Sequence, residues 1–281
     1  GTIDEAVAID EVKRFIAQKD LDAETRYIPE KIIPSNRGEF NNKIAIIGGG
    51  PAGLSCAYYL ATTGYRPTVF EKNEKAGGML TYGIPSYKLE KDVVEAEIDI
   101  IRQLGVEIKC GVEVGKDITL DELRKQGYEA FYIAIGCQGS RKAGIAGEDA
   151  DGVMSAVDIL HKIAENHELD LNGKKTVVIG GGNVAVDVAR SSKRCGADVL
   201  GMYCLENREE MPASDEEIFE TEDEGIEIFN GWGPKEILTE NGKVKGIVLK
   251  KCVAVKDADG KFNPQYDEND TKTIECDNVH L

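Results

Sequence analysis

Short apolar runs alternate with stretches of helical periodicity along most of the 281-residue chain. Residues 43–47, KIAII, form an apolar, β-branched run of the kind a parallel strand buried on both faces shows. A helical stretch closing near Gly64 follows, and residues 67–70 read as a second strand. Residues 90–104 carry Val93, Val94, Ile98 and Ile101 at helical spacing and stop at Gly105. Residues 106–109 and 112–114 then read as short strands, 120–126 as a short helix and 128–135 as a buried strand. A Gly-, Arg- and Asp-rich stretch, 139–152, suggests a crossing between domains. The pattern resumes with a helix at 153–167, strands at 174–179 and 199–203, and an acidic helix at 216–224 ended by Gly225. Strand candidates at 226–229, 237–238, 246–255 and 273–277 are separated by Asn241-Gly242 and Asp259-Gly260, which suit an antiparallel hairpin or meander. A further apolar strand begins as the sequence reaches Leu281. At the other end, residues 2–27 read as one amphipathic helix with Ile3, Val7, Val12, Phe15 and Ile16 on its apolar side. Residues 28–42 read as an extended connector, the whole being an arm packed on a neighbouring domain.

The turn after the first strand carries Gly48, Gly50 and Gly53 as G-x-G-x-x-G, with Pro51 and Ala52 at the helix start. The first glycine allows the tight turn, the second lets backbone approach a pyrophosphate, and the third lets helix pack on strand. The helix N-terminus adds free N–H groups and partial positive charge. Glu71, 23 residues after Gly48, stands where a carboxylate accepts hydrogen bonds from ribose hydroxyls. Strand, glycines, helix, second strand and spaced acid together specify a dinucleotide-binding unit. Gly180, Gly182, Asn183, Val184 and Ala185 repeat the motif, and Gly196 follows Gly180 by the same 16 positions that part Gly64 from Gly48. Two such units predict two dinucleotide sites; a structural duplicate without ligand is the alternative for the second. The expected fold is α/β, with two Rossmann-like dinucleotide-binding domains and an N-terminal helical arm. The expected boundaries are 1–41 for the arm and connector, 42–152 for the first domain and 153–281 for the second.

Charge and cysteine usage narrow the setting. A net charge of −17 argues against nucleic acid and suits a soluble cytoplasmic protein, or one docking on a basic partner face. No run of 18 apolar residues occurs, so no membrane span is expected. No two of the seven cysteines lie within six residues, so C-x-x-C metal, cluster and redox signatures are missing and free thiols are expected. With three scattered histidines, no metal site is expected. The acidic run at 216–224 reads as a solvated face, and Asp187 with Arg190 as a helix-surface or interdomain ion pair.

Several segments carry a resemblance: AIDEVKRFIA from Ala8, IIGGGPAGLSCAYYL from Ile46, EKAGGMLTYGIP from Glu74, YIAIG from Tyr132, GGGNVAVDVAR from Gly180 and REEMPAS from Arg208. On these the chain resembles the glutamate synthase small subunit family, which includes the N-terminal half of dihydropyrimidine dehydrogenase and the large subunits of bifurcating transhydrogenases. The resemblance implies FAD in the first unit and NAD or NADP in the second. By position, Gly48, Gly50 and Gly53 would line the FAD pyrophosphate, with Glu71 on its ribose and Lys72 exposed or near phosphate. Gly78, Met79 and Leu80 would run beside the flavin, Val114 would offer backbone to the adenine, and Gly136 would lie close to the dinucleotide. Gly180, Gly182, Asn183 and Val184 would hold the second pyrophosphate, with Arg208 near its ribose. The implied activity is hydride transfer between NAD(P)H and FAD, with electrons relayed to iron–sulfur clusters or to a larger catalytic or iron–sulfur partner. Hydride transfer needs no side-chain acid or base, so no catalytic residue is named. A non-catalytic FAD-holding relay or assembly subunit is the alternative.

The chain also departs from its relatives. Disulfide reductases of this fold place a cysteine pair just after the first unit, yet residues 77–85 contain none. Cluster cysteines, which in this family usually precede the position of Thr2, and the C-terminal part of the FAD domain are both expected to belong to a longer protein. Where NADPH-using relatives carry an arginine pair, Cys204 and Leu205 stand here, followed by Glu206. That favours NADH, although Arg208 remains able to pair with a phosphate.

Overall fold

The computed structural model describes residues 7–33, 38–165 and 169–281. The chain parts into two units, Gly1–Thr81 with Ser86–Cys137, and Tyr82–Pro85 with Gln138–Leu281. Helix α1 (Ile9–Leu21) is shorter than the helix expected over 2–27; residues 2–6, including Ile3, lie outside the described residues. None of its residues is buried, and Val7, Val12, Phe15 and Ile16 are all exposed. The helix is thus present, with its apolar side uncovered by the described residues. The arm is anchored just beyond the helix, where Arg26 donates to Asp20, to Glu97 at 2.6 Å and to the Ala96 carbonyl at 2.7 Å.

The first unit continues through β1 (Lys43–Ile47), α2 (Pro51–Thr62), β2 (Arg66–Phe70), α3 (Met79–Tyr82), α4 (Lys91–Gln103), β3 (Glu107–Lys109), α5 (Leu120–Lys125) and β4 (Tyr128–Ile133). Its four strands are parallel in the order β3-β2-β1-β4. The inner strands β1 and β2 are buried over four of their five residues each, which is why their apolar runs are continuous. The apolar run at 128–135 predicts a buried strand, but β4 is the sheet edge, and Tyr132 and Ile133 are 44% and 56% exposed. Residues 112–114 form no strand beyond a single bridge between Val114 and Ile118.

The second unit holds β5 (Val153–Met154), α6 (Ala156–Ala164), β6 (Lys175–Ile179), α7 (Asn183–Arg194), β7 (Asp198–Cys204), α8 (Asp215–Asp223), β8 (Ile228–Asn230), β9 (Trp232–Glu240), β10 (Lys243–Lys256), β11 (Phe262–Glu275) and β12 (Asn278–His280). Five strands make a parallel sheet, β5-β12-β6-β7-β8, and three make an antiparallel one, β11-β10-β9. The helix expected at 153–167 begins at Ala156 after a two-residue strand, and its His167 end lies outside the described residues. The antiparallel strands run to 9, 14 and 14 residues, longer than their apolar stretches, because β11 is largely exposed and its polar residues are held by the ladder to β10. Asn241 at φ 52° and Gly242 at φ 78° make the tight turn between β9 and β10. Residues 139–152 are less a crossing than a strap on this sheet: Ile237 N donates to the Ala146 carbonyl and Val244 N to the Asp151 carbonyl.

Arg190 of α7 is buried, and its guanidinium meets Glu217, Glu220 and Glu224 of and beside α8. The acidic run is therefore in part the lining of a buried cation, and Arg190 is neither a surface nor an interdomain residue. Arg190→Ala is expected to destabilise this unit by about 1–3 kcal/mol, by removing the buried guanidinium's bonds to Glu217 and Glu220, while Glu224 keeps Arg194. Urea unfolding read against Arg190→Met, which keeps much of the packing, checks it.

His280 is buried with Nδ1 3.2 Å from Ser192 Oγ and Nε2 without a partner. Burial pushes its pKa down from 6.5 to about 4. The folded chain thus refuses a proton that the unfolded chain accepts. This group's contribution falls as pH drops from about 6.5 to about 4, by roughly 3 kcal/mol in all. Unfolding curves at pH 7 and pH 4.5 are expected to differ more in the wild type than in His280→Leu.

Candidate functional site

In the first unit the β1–α2 turn is packed backbone against backbone. Gly48 has φ 107° and donates to the Phe70 carbonyl at 2.8 Å, and a Cβ there would lie 2.3 Å from the Ala134 carbonyl oxygen. A Cβ on Gly53 would stand 1.9 Å from the Gly48 oxygen, so α2 sits directly on its own turn. Gly50 is the extended N-cap of α2, Pro51 fills the first helical position and Ala52 follows, exposed. A second loop closes on this turn. Gly77 N donates to the Gly49 carbonyl at 2.7 Å, and a Cβ on Gly78 would lie 2.8 Å from the Gly50 Cα. Gly78, exposed Met79 and half-buried Leu80 thus abut the glycine turn.

Glu71 is buried beside that turn. Its Oε2 accepts from Gly49 N at 2.7 Å and its Oε1 from Asn73 N at 2.9 Å. Its own carbonyl accepts from Val112 N, which brings the segment carrying Val114 alongside. Gly136 is exposed just past β4, two residues beyond Ala134, whose N–H donates to the Ile47 carbonyl. Lys72 is exposed.

The second unit repeats the geometry with one change. Gly180 has φ 140° and donates to the Tyr203 carbonyl at 2.8 Å, matching Gly48 and Phe70. Gly182 is the extended N-cap of α7, with open space where a Cβ would go. Ala185 occupies the third glycine's place, and its Cβ would lie 2.9 Å from one added to Gly180, so this helix stands off its turn by more than α2 does. Val184 is 52% exposed in the first turn. Asn183 instead turns its Oδ1 to Ser214 N at 3.0 Å, tying the α7 start to the α8 cap. Arg208 lies in a 3-10 turn capped by Asn207, and both its terminal nitrogens bond Glu222, at 2.6 and 2.8 Å.

Charge placement singles out these two turns. Among the described helices longer than the four-residue α3, α1, α4, α5, α6 and α8 each carry an acid in the first turn; α2 and α7 carry none, and neither N-cap is satisfied by a side chain. In a chain of net charge −17, these two N-termini are left open to an anion. A dinucleotide pyrophosphate fits both: bare glycine backbone, free N–H groups and a neighbouring carboxylate. Motif reading misses Glu222 of α8, which holds Arg208, and Asn230 and Gly231, whose Nδ2 and backbone N donate to the Glu206 carbonyl, since these contacts join elements that no local spacing brings together. All seven cysteines are free. Among the described residues no helix is long and apolar enough to cross a membrane.

Comparison with known proteins agrees with this geometry. A family model described as pyridine nucleotide-disulphide oxidoreductase matches residues 42–279. The chain is 39% identical over 274 residues to the NADP(+)-dependent formate dehydrogenase subunit beta of Moorella thermoacetica, covering 91% of this chain and 38% of that protein. It is 36% identical over 270 residues to the glutamate synthase [NADPH] small chain of Escherichia coli, covering 91% and 56%. It therefore spans roughly two-fifths to three-fifths of such relatives. Mycobacterium tuberculosis FprA in complex with NADPH shares the fold with a TM-score of 0.71 at 20% identity, covering 85% of this chain and 70% of that one.

Two glycine substitutions separate the turns. Gly53→Ala is expected to cost at least about 2 kcal/mol, because its methyl group collides with backbone, and to strip flavin from the purified full-length protein. Gly182→Ala, with open space at its Cβ, is expected to keep flavin and folding while weakening pyridine nucleotide binding. The flavin-to-protein absorbance ratio and a nucleotide titration check the pair.

Proposed function

The chain belongs to the pyridine nucleotide-disulphide oxidoreductase family, and from that premise we propose that it is the two-nucleotide part of a larger flavoenzyme passing hydride between NAD(P)H and FAD. FAD is assigned to the first unit and the nicotinamide dinucleotide to the second. The observation that carries this reading is the pair of uncapped, acid-free helix starts at Gly50 and Gly182, each behind a glycine turn with a carboxylate close by.

Bound together, the two groups supply the hydride chemistry; the chain's residues bind, orient and exclude water. Gly48, Gly50 and Gly53 give the pyrophosphate a bare backbone surface, and Glu71, fixed by Gly49 and Asn73, is the acceptor for the ribose. Gly78, Met79 and Leu80 border the same turn and are assigned to the flavin side. Gly180, Gly182 and Val184 do the corresponding work for the second pyrophosphate, while Asn183 holds α7 and α8 together.

No cysteine lies in residues 77–85, so a dithiol there takes no part in the onward path. Electrons are proposed to leave to iron–sulfur clusters or to a catalytic partner subunit, in keeping with relatives that are themselves named subunits and small chains. The test is anaerobic: the flavin absorbance of the full-length protein is expected to bleach on adding one equivalent of NADH or NADPH. Retention of full absorbance with both would overturn the proposal.

A further inference from the structure

Resting on the assignment of the nicotinamide dinucleotide to the second unit, we propose that this unit selects NADH over NADPH, with Glu206 as the residue that discriminates. The two units can be compared atom by atom. Gly48 N bonds the Phe70 carbonyl as Gly180 N bonds the Tyr203 carbonyl, so Cys204 holds the place that Glu71 holds in the first unit. Cys204 is buried and its thiol is pushed up to about 11 by burial and by the Glu206 charge, so it remains neutral.

The carboxylate is nonetheless present, supplied from two residues further on. A Cβ on Gly49 would lie 3.1 Å from Glu71 Oε2, and one on Gly181 would lie 2.9 Å from Glu206 Oε2. Each acid therefore stands against the middle glycine of its turn, where a carboxylate accepts from the adenosine ribose. Glu206 is fixed there by its backbone: its carbonyl accepts from Asn230 Nδ2 at 3.0 Å, Gly231 N at 3.2 Å and the Cys204 thiol at 3.7 Å.

A 2′-phosphate at this place would meet that carboxylate, and the neighbouring cations are engaged. Arg208 is held in a two-pronged pair by Glu222. Lys251, which lines a groove of about 230 Å³ with Leu205, Asn207 and Glu210, carries its ammonium over the Trp232 ring at 5.0 Å. The ribose with a free 2′-hydroxyl, by contrast, gives Glu206 a donor. The relatives above are named for NADPH or NADP(+), so this sets the chain apart from them.

The test is calorimetric titration of the full-length, flavin-loaded protein with NAD⁺ and with NADP⁺ at one ionic strength. NAD⁺ is expected to bind at least about 10-fold more tightly. Glu206→Gln is expected to shrink that ratio, and Glu206→Arg to reverse it. Glu222→Gln, which releases Arg208, is expected to improve NADP⁺ binding while NAD⁺ binding stays as in the wild type, showing that the fold is intact. Equal or tighter binding of NADP⁺ by the wild type, or an unchanged ratio in Glu206→Gln, overturns the proposal. If flavin is retained and neither nucleotide binds, the assignment of the second unit fails and the coenzyme choice falls with it.

Discussion

Both units are organised around the distance between a helix start and the turn that delivers it. In the first, a methyl group at Gly53 would come within 1.9 Å of the Gly48 carbonyl oxygen, so α2 is seated as close to β1 as backbone permits. Placing the helix there aims its first N–H groups past Gly50 into the space above the sheet's C-terminal edge. The Gly77–Gly78 loop can then pack on the same turn, because Gly78 has no Cβ, which would lie 2.8 Å from the Gly50 Cα. Glu71 completes the arrangement by accepting from Gly49 N, which holds turn and acid in one rigid piece. In the second unit Ala185 relaxes that distance, and the α7 start is secured instead by Asn183 bonding Ser214.

Electrostatics follows from the same placement. The chain is strongly acidic, and most of its helices use acids to complement their N-terminal dipole. Withholding acids from α2 and α7 gives up that favourable contribution within the apo fold, worth about 0.3–1 kcal/mol at each terminus. An anion bound there would recover it. Arg190 shows the complementary device, since its one buried positive charge offsets part of the negative field of the three carboxylates gathered around it.

Much of this was legible in the sequence because glycine spacing, a preceding apolar run and a spaced acid are local consequences of one backbone geometry. The paired turns, the parallel sheets and the Gly78 loop were reachable that way, though β5 was not, since its two residues read as the start of a helix. Burial at the edges was not. Periodicity in α1 and the apolar run of β4 report a face or a strand, but whether another element covers it depends on sheet order, and both stay exposed. The length of β11 was hidden for the opposite reason: its polar residues belong to a ladder with β10 and bury little. The partners of Arg208 and Arg190 lie 14 to 34 residues away on α8 and beside it, and no motif spacing encodes such contacts.

The two turns also show how one scaffold separates what must be constant from what can vary. The glycine contacts and the strand-end bond to Phe70 or Tyr203 are backbone interactions, insensitive to side-chain identity once glycine is in place. The acid beside each turn is different. In the first unit it follows directly from the strand as Glu71, and in the second it returns from Glu206 across a buried cysteine, to lie against the corresponding glycine. That displacement is possible because Asn230 and Gly231, on and just after the neighbouring strand β8, hold the Glu206 carbonyl and so fix a loop that would otherwise swing. On the proposed assignment, recognition of the nucleotide's ribose would depend on a loop outside the glycine motif, whose charge can change while the glycine turn stays intact.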